Sequence, residues 1–190
     1  MTRYARVPPT HRVPLHPNSL ELLLFQQRQV IGRRQALRHL SEAAIRHRLE
    51  SGRWRVAERG VYVTHSGPVT PEQRLVIASL AAGGGRLAVL AGLSALSRMG
   101  FRGWADDPVH LLLPWRRRDL NPPPWVVVHR TSRLHRDELR AVATPPHTLA
   151  VRSLVDAAQW ARTDEQAAAI IAAGYQQRLV AGDEVARALA

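Results

Sequence analysis

The stretch that most restricts how this chain can fold runs from Ser41 through EAAIRHRLE, Ser51-Gly52, RWRVAE, Arg59-Gly60 and VYV. A serine before a helix accepts a hydrogen bond from a first-turn backbone N–H, so Ser41 is the expected N-cap of a helix reaching about Glu50. Ile45 and Leu49 are spaced i, i+4 and bury one stripe of it, and Gly52 stops it. In RWRVAE the residue types alternate, with Trp54 and Val56 to one side and Arg53 and Arg55 to the other. Arg59-Gly60 then turns the chain into Val61-Tyr62-Val63, which predicts a hairpin.

Upstream, Ser19 is the expected cap of a first helix over 20–29, with Leu20, Leu23, Leu24 and Phe25 on its buried side. The apolar pair Val30-Ile31 leads to a second helix over 32–39 carrying Ala36 and Leu37 inward, and Leu40-Ser41 makes a tight turn. Helix, helix, tight turn, helix and basic hairpin in this order predict a winged helix-turn-helix over residues 19–67. Residues 1–18 contain four prolines and three arginines without helical periodicity, and are expected to form a flexible basic arm.

Residues 68–190 read as a small α+β domain with C-terminal helices. Thr70 and Gln73 form a capping box for an apolar helix to Ala82, ended by Gly83-Gly84-Gly85. Residues 88–99 suggest a short strand or turn leading into a helix near Gly92. Val109 to Leu113 and Val126 to His129 read as strands joined by a hairpin connection, the basic, proline-rich WRRRDLNPPP, and residues 140–143 as a third short strand. Helices are expected over 148–161, 164–177 and 183–189. The chain as a whole is therefore expected to be α+β.

Charge separates the two parts. The sequence carries a formal net charge of +12, and because it contains no lysine all 27 basic side chains are arginine. Residues 1–67 hold 12 arginines against 4 acids, and residues 68–190 hold 15 against 11. A basic N-terminal module followed by a more balanced body is the electrostatic footprint of a nucleic-acid reader, because guanidinium groups pair bidentately with phosphates and guanine edges. With Ile45 and Leu49 inward, Ala43, Arg46, His47 and Glu50 fall on the outer face of the third helix. There Arg46 and His47 can reach bases or phosphates, and the N–H groups near Ser41 can hold a phosphate. Arg53, Arg55 and Arg59 on the hairpin, with Arg33 and Arg34 at the start of the second helix, supply backbone contacts. Arg116, Arg117 and Arg118 extend the DNA footprint, meet an acidic partner, or serve as a charged turn that blocks aggregation.

Several chemistries are excluded. With no cysteine there is no disulfide framework, thiolate metal site or cysteine nucleophile. With no lysine there is no P-loop lysine, no Schiff base and no Asp, Glu and Lys nuclease cluster. The nine histidines show no HxxxH or HExxH spacing, His129 and His135 lie six apart across a loop, and no metal site is expected. Asp106-Asp107 and Asp137-Glu138 sit beside turn or helix-start signals and read as caps rather than acid–base pairs. Ser94 in GLSAL lacks a nucleophile-elbow pattern. Trp104, Trp115, Trp125 and Trp160 read as core or rim residues. With 45% hydrophobic residues but no apolar run near bilayer length, the chain is expected to be a cytoplasmic, non-membrane, non-enzymatic protein needing no cofactor.

The stretch from Arg33 to Leu75 resembles the N-terminal winged-helix domain of AbiEi-type antitoxins of type IV toxin–antitoxin systems, above all their actinobacterial members. The fingerprint is Ala44 to Arg48, Ser51 to Trp54 and Gly60 to Tyr62, and the likeness continues through VHLLLPWRRR, VVVHRTSRL and HTLAVRSLVDAA. The resemblance implies a sequence-specific, double-stranded-DNA-binding transcriptional repressor of its own operon, whose second domain opposes a nucleotidyltransferase-like toxin. Many similar proteins continue into a nuclease domain like that of very-short-patch-repair endonucleases. This sequence stops at Ala190, about where that domain would begin, so the alternative expectation is the non-catalytic DNA-binding front of an endonuclease.

Overall fold

The computed structural model describes residues 19–104, 108–117 and 122–189. The arm expected over 1–18, the Asp106-Asp107 pair and Arg118 lie outside them. The described residues form an α+β structure of eight α-helices and two small sheets.

The first sheet arises from three short segments. Helix α1 (Leu20–Gln26) is capped by the Ser19 hydroxyl, which accepts from Leu22 N at 3.1 Å. It is shorter than the sequence suggests because Arg28 and Gln29 both adopt left-handed backbone, at φ 56° and 65°. That reversal converts Val30-Ile31 from a linker into strand β1 (Val30–Gly32). Gln27, only 1% exposed, secures the corner: its amide donates to Val30 O at 2.9 Å and exchanges bonds of 3.0 and 2.8 Å with the Gln35 amide. Helix α2 (Arg33–Ala36) is a single turn followed by further turns to Leu40, which leaves Leu37 exposed while Ala36 is buried. Helix α3 (Glu42–Glu50), capped by Ser41, precedes β2 (Arg55–Glu58) and β3 (Val61–Val63). Both β1 and β2 pair antiparallel with the central β3.

Two expectations for the hairpin need correction. Trp54 and Val56 do not share a side: Trp54 is buried beneath α3, its N–H bonded to Arg48 O at 2.8 Å, whereas Val56 is 61% exposed. The strand starts one residue after Trp54 and its register shifts between Val56 and Glu58, so Ala57 packs inward instead. Phe25 is likewise exposed, because the short α1 turns only Leu20, Leu23 and Leu24 toward the core.

Alternation along β1 and β3 separates two apolar layers. Ile31 and Tyr62 pack with Ala36, Ile45 and Trp54 under α1 to α3. Val30, Val61 and Val63 pack on Val76, Ile77 and Leu80 of helix α4 (Pro71–Ala82). The opposite side of α4, through Ala78 and Ala82, lies on a second sheet with Leu90, Val109, Leu111, Leu113 and Val126. That sheet has strand order β6-β5-β4-β8-β7 and is built from β4 (Val89–Leu90), β5 (Val109–Pro114), β6 (Val126–Thr131), β7 (Leu139–Arg140) and β8 (His147–Thr148). Helices α5 (Gly92–Arg98), α6 (Ala150–Gln159), α7 (Asp164–Gln176) and α8 (Gly182–Leu189) enclose a further cluster around Leu96, Leu154 and Ile170.

The expected hairpin between Val109 to Leu113 and Val126 to His129 is not formed. β5 and β6 pair in parallel over their whole length, Val109 opposite Val126 through Pro114 opposite Thr131. A parallel pair requires the chain to return along the strand, about 20 Å for six residues. The connection from Trp115 to Trp125 is long enough to do so. Thr148, expected to open a helix, instead ends strand β8 (with His147) beside β4, and the expected third strand is displaced to Leu139–Arg140.

Because α4 supplies apolar contacts to both sheets, Leu80→Ala is expected to cost about 3 kcal/mol. It should lower a single cooperative unfolding transition, measured by urea titration with tryptophan fluorescence and far-ultraviolet circular dichroism in parallel.

Candidate nucleic-acid interface

Helix α3 presents the face that its sequence implies. Ile45 is buried, Leu49 is half-buried, and Ala43, Arg46, His47 and Glu50 are exposed. The Ser41 hydroxyl accepts from Ala44 N at 3.2 Å, so it is engaged as the helix cap. Glu42 occupies the first turn, where a carboxylate complements the helix dipole, and pairs with Arg33 at 2.6 Å. Arg33 is thus partly neutralised, although an ion pair this exposed contributes little, at most about 1 kcal/mol, and yields readily to a phosphate. Arg48 is not a surface cation of the same kind: it donates to Ala44 O at 3.0 Å and lies 5.7 Å from the Trp54 ring centroid, bracing the start of the hairpin.

The remaining expected arginines fall into two groups separated by the length of β2. Arg53 and Arg55 sit near the end of α3, where Arg53 donates to the Ser51 hydroxyl at 3.2 Å and Arg55 to Gly67 O. Arg33, Arg34 and Arg59 gather at the other end, around the Arg59-Gly60 turn, where Arg33 N also bonds Gly60 O at 2.8 Å. These three line a groove of about 1030 Å³ together with Leu37, Gly84, Gly85 and Pro122–Pro124. Sequence reasoning missed this groove because its sides come from segments tens of residues apart. The one local signal was the glycine triplet, whose Gly84 and Gly85 take positive φ after α4.

The arginine run divides by role. Arg117 donates to Gly83 O at 2.7 Å, capping the last turn of α4, and Arg116 is exposed. Of the Asp137-Glu138 pair, Glu138 is tied into the fold: it accepts from His135 N at 3.1 Å and from Arg152 at 2.9 Å, and Arg152 also binds Asp156 at 2.9 Å. Burial pushes the Asp156 carboxyl up, against the pull of Arg152. Ser94 accepts from His110 N at 2.8 Å. Trp125 is half-buried, donating to Glu58 at 3.1 Å with Arg74 5.0 Å above its ring.

One histidine pair was not foreseen. His129 meets His110 rather than His135, with Nδ1 of His110 2.9 Å from Nε2 of His129. The rings are 17° apart with centroids at 5.2 Å, so they lie edge to edge. His129 stacks face to face on Trp160 at 3.3 Å. Trp160 in turn covers Gly92, where an added Cβ would approach to 2.7 Å. Among the described residues no third metal-ligating side chain joins this pair. Burial, reinforced by His110, lowers the His129 pKa from 6.5 to about 4.

The folded state therefore holds His129 neutral while the unfolded chain takes up its proton below pH 6.5, so stability is full above pH 6.5 and falls as pH drops toward 4. His129→Phe, which keeps a ring on Trp160, is expected to flatten this acid limb by roughly 1 kcal/mol after allowance for solvent screening. Melting temperatures of parent and variant at stepped pH check it. No protein-family model matches the chain, and no curated protein matches it.

Proposed function

We propose that residues 19–67 form a winged helix-turn-helix and that the protein is a sequence-specific regulator binding double-stranded DNA. Supporting the reading is the order α1, β1, α2, α3, β2, β3 around a sheet in the order β1-β3-β2, with α3 as the recognition helix and Arg59-Gly60 as a short wing. The observation that carries it is the outer face of α3. Arg46 and His47 are exposed there, on the helix between Glu42, which pairs with Arg33 at its start, and Arg53 just beyond its end. In this reading Arg46 meets a guanine edge or a phosphate in the major groove, and the flanking arginines meet the backbone on either side.

The resemblance to AbiEi-type antitoxins extends the proposal. The DNA lies upstream of the protein's own gene, binding represses that operon, and residues 68–190 engage a nucleotidyltransferase-like toxin. No helix among the described residues is long and apolar enough to cross a membrane.

About six phosphate contacts give a log–log dependence of affinity on salt with a slope near −5. Fluorescence anisotropy on a duplex from upstream of the gene should show this slope. The double variant Arg46→Ala/Arg55→Ala should lose about tenfold or more in affinity, and should discriminate less against a scrambled duplex. Binding by the double variant equal to the parent's removes α3 as the reading face.

A further inference from the structure

We infer that the DNA-binding surface does not end at the N-terminal module but crosses the groove beside the wing onto the body, so that a phosphate backbone is held by Arg34 and Arg59 on one side and by Arg86 and Arg116 on the other. The inference rests on the DNA-binding reading above and names where that site continues.

Three observations carry it. First, the glycine turn physically joins the two sides. Arg34 packs its stem against Gly85, where an added Cβ would lie 3.2 Å from Arg34 Cδ, and Arg86 follows Gly85 directly. Two residues earlier, Gly83 O accepts the Arg117 guanidinium at 2.7 Å, which fixes the connection after β5 on the same turn and Arg116 beside it. The cations therefore follow one path: wing turn, start of α2, glycine turn, β5–β6 connection.

Second, among the described residues the cations on this path are unpaired and in excess of the acids beside it. Within the described residues the guanidinium groups of Arg34, Arg59, Arg86 and Arg116 make no hydrogen bond or ion pair. Among the described residues the acid lining the groove is Glu58, which accepts from the neutral Trp125 Nε1 and keeps its charge, and Glu42 is paired with Arg33, so Arg34, Arg59, Arg86 and Arg116 outnumber the one unpaired carboxylate beside them. Unpaired guanidinium groups close together raise the local potential and repel one another, a cost that an anionic strand removes.

Third, the groove suits a chain rather than a small molecule. At about 1030 Å³ it reaches the upper limit of the roughly 300–1,000 Å³ typical of small-ligand pockets, and three arginines share its lining with Leu37, Tyr62, Ala81 and the three prolines. Pro122–Pro124 have no backbone N–H to offer, so recognition there falls to guanidinium groups, which hold phosphate without reading sequence.

The test is the salt dependence of binding to the upstream duplex and to a scrambled one, between about 50 and 200 mM salt, for the full chain. Arg86→Ala/Arg116→Ala is expected to reduce the slope by about 2 and to weaken both duplexes equally, since each lost phosphate contact removes about 0.9. Its melting temperature should stay at the parent's value, because neither guanidinium is bonded. If alanine lowers it, Gln at both positions keeps most of the stem, removes the charge and gives the same binding readout. If the parent binds and Arg46→Ala/Arg55→Ala weakens it, while the Arg86/Arg116 variant keeps the parent's slope, DNA binding stands and the extension is overturned. The free cations of the body would then serve another kind of partner. If the parent binds neither duplex, both readings fall together.

Discussion

The structure depends on burying one helix on two sides. Residues 71–82 read PEQRLVIASLAA, and after the first turn the segment offers no polar stripe, which is the pattern of a helix enclosed by protein. Val76, Ile77 and Leu80 cover the first sheet, Ala78 and Ala82 lie on the second, and the only hydroxyl at its centre, Ser79, donates to Ala88 O at 2.6 Å. Small residues on one side let the second sheet approach closely, while branched ones on the other fill the space under β1 and β3. Strands buried on both faces lose the alternation of a half-exposed hairpin, and VYV is apolar at every position for that reason. The boundary expected between residues 67 and 68 falls just ahead of this helix, yet the N-terminal sheet has no second apolar layer without it.

What was legible in the sequence was local chemistry. Ser19, Ser41, Thr70 and the glycine triplet act through bonds spanning three or four residues, and each starts or stops a helix where expected. The alternation that placed Arg46 and His47 outward on α3 is of the same kind. What failed was pairing at a distance. Val30-Ile31 looked like a linker because its strand character depends on β3, thirty residues on, and on two consecutive left-handed residues that nothing in Arg28-Gln29 announces. The parallel pairing of β5 and β6 was hidden behind a proline-rich connection that resembles a long turn. Its clues were the continuous apolar runs LLL and VVV and a loop longer than hairpins use. The groove depends on both kinds of distant contact, so the individual arginines were found and their neighbourhood was not.

A net charge of +12 says little about which cations are available. Several arginines are taken up by the fold: Arg48 against Trp54, Arg74 over Trp125, Arg117 on the end of α4, and Arg152 between Glu138 and Asp156. Arg48 and Arg74 lie over indole rings and Arg152 bridges two carboxylates, uses that suit a planar, weakly hydrated guanidinium better than an ammonium, and Arg117 donates to a helix-end carbonyl. In a chain without lysine, one side-chain type therefore supplies both the guanidinium groups built into the fold and those left free at the surface. Only the partners of each guanidinium distinguish the two uses.

Those two uses sit side by side, and the adjacency matters energetically. Arg116 precedes Arg117, whose bond to Gly83 fixes the local backbone, and Arg86 follows Gly85, which is packed on Arg34. Arg46 stands two residues before Arg48, which is bonded back onto its own helix. Each free guanidinium thus extends from backbone that a neighbouring arginine or helix already holds. Binding an anion then orders one side chain, roughly 1–2 kcal/mol of rotamer entropy, without also ordering a loop. Placing the free arginines on flexible segments would give the same net charge and a similar long-range field, but most of the contact energy would go into fixing the chain. The distribution of pinned and free guanidinium groups, more than their number, is what the proposed hold on a phosphate backbone rests on.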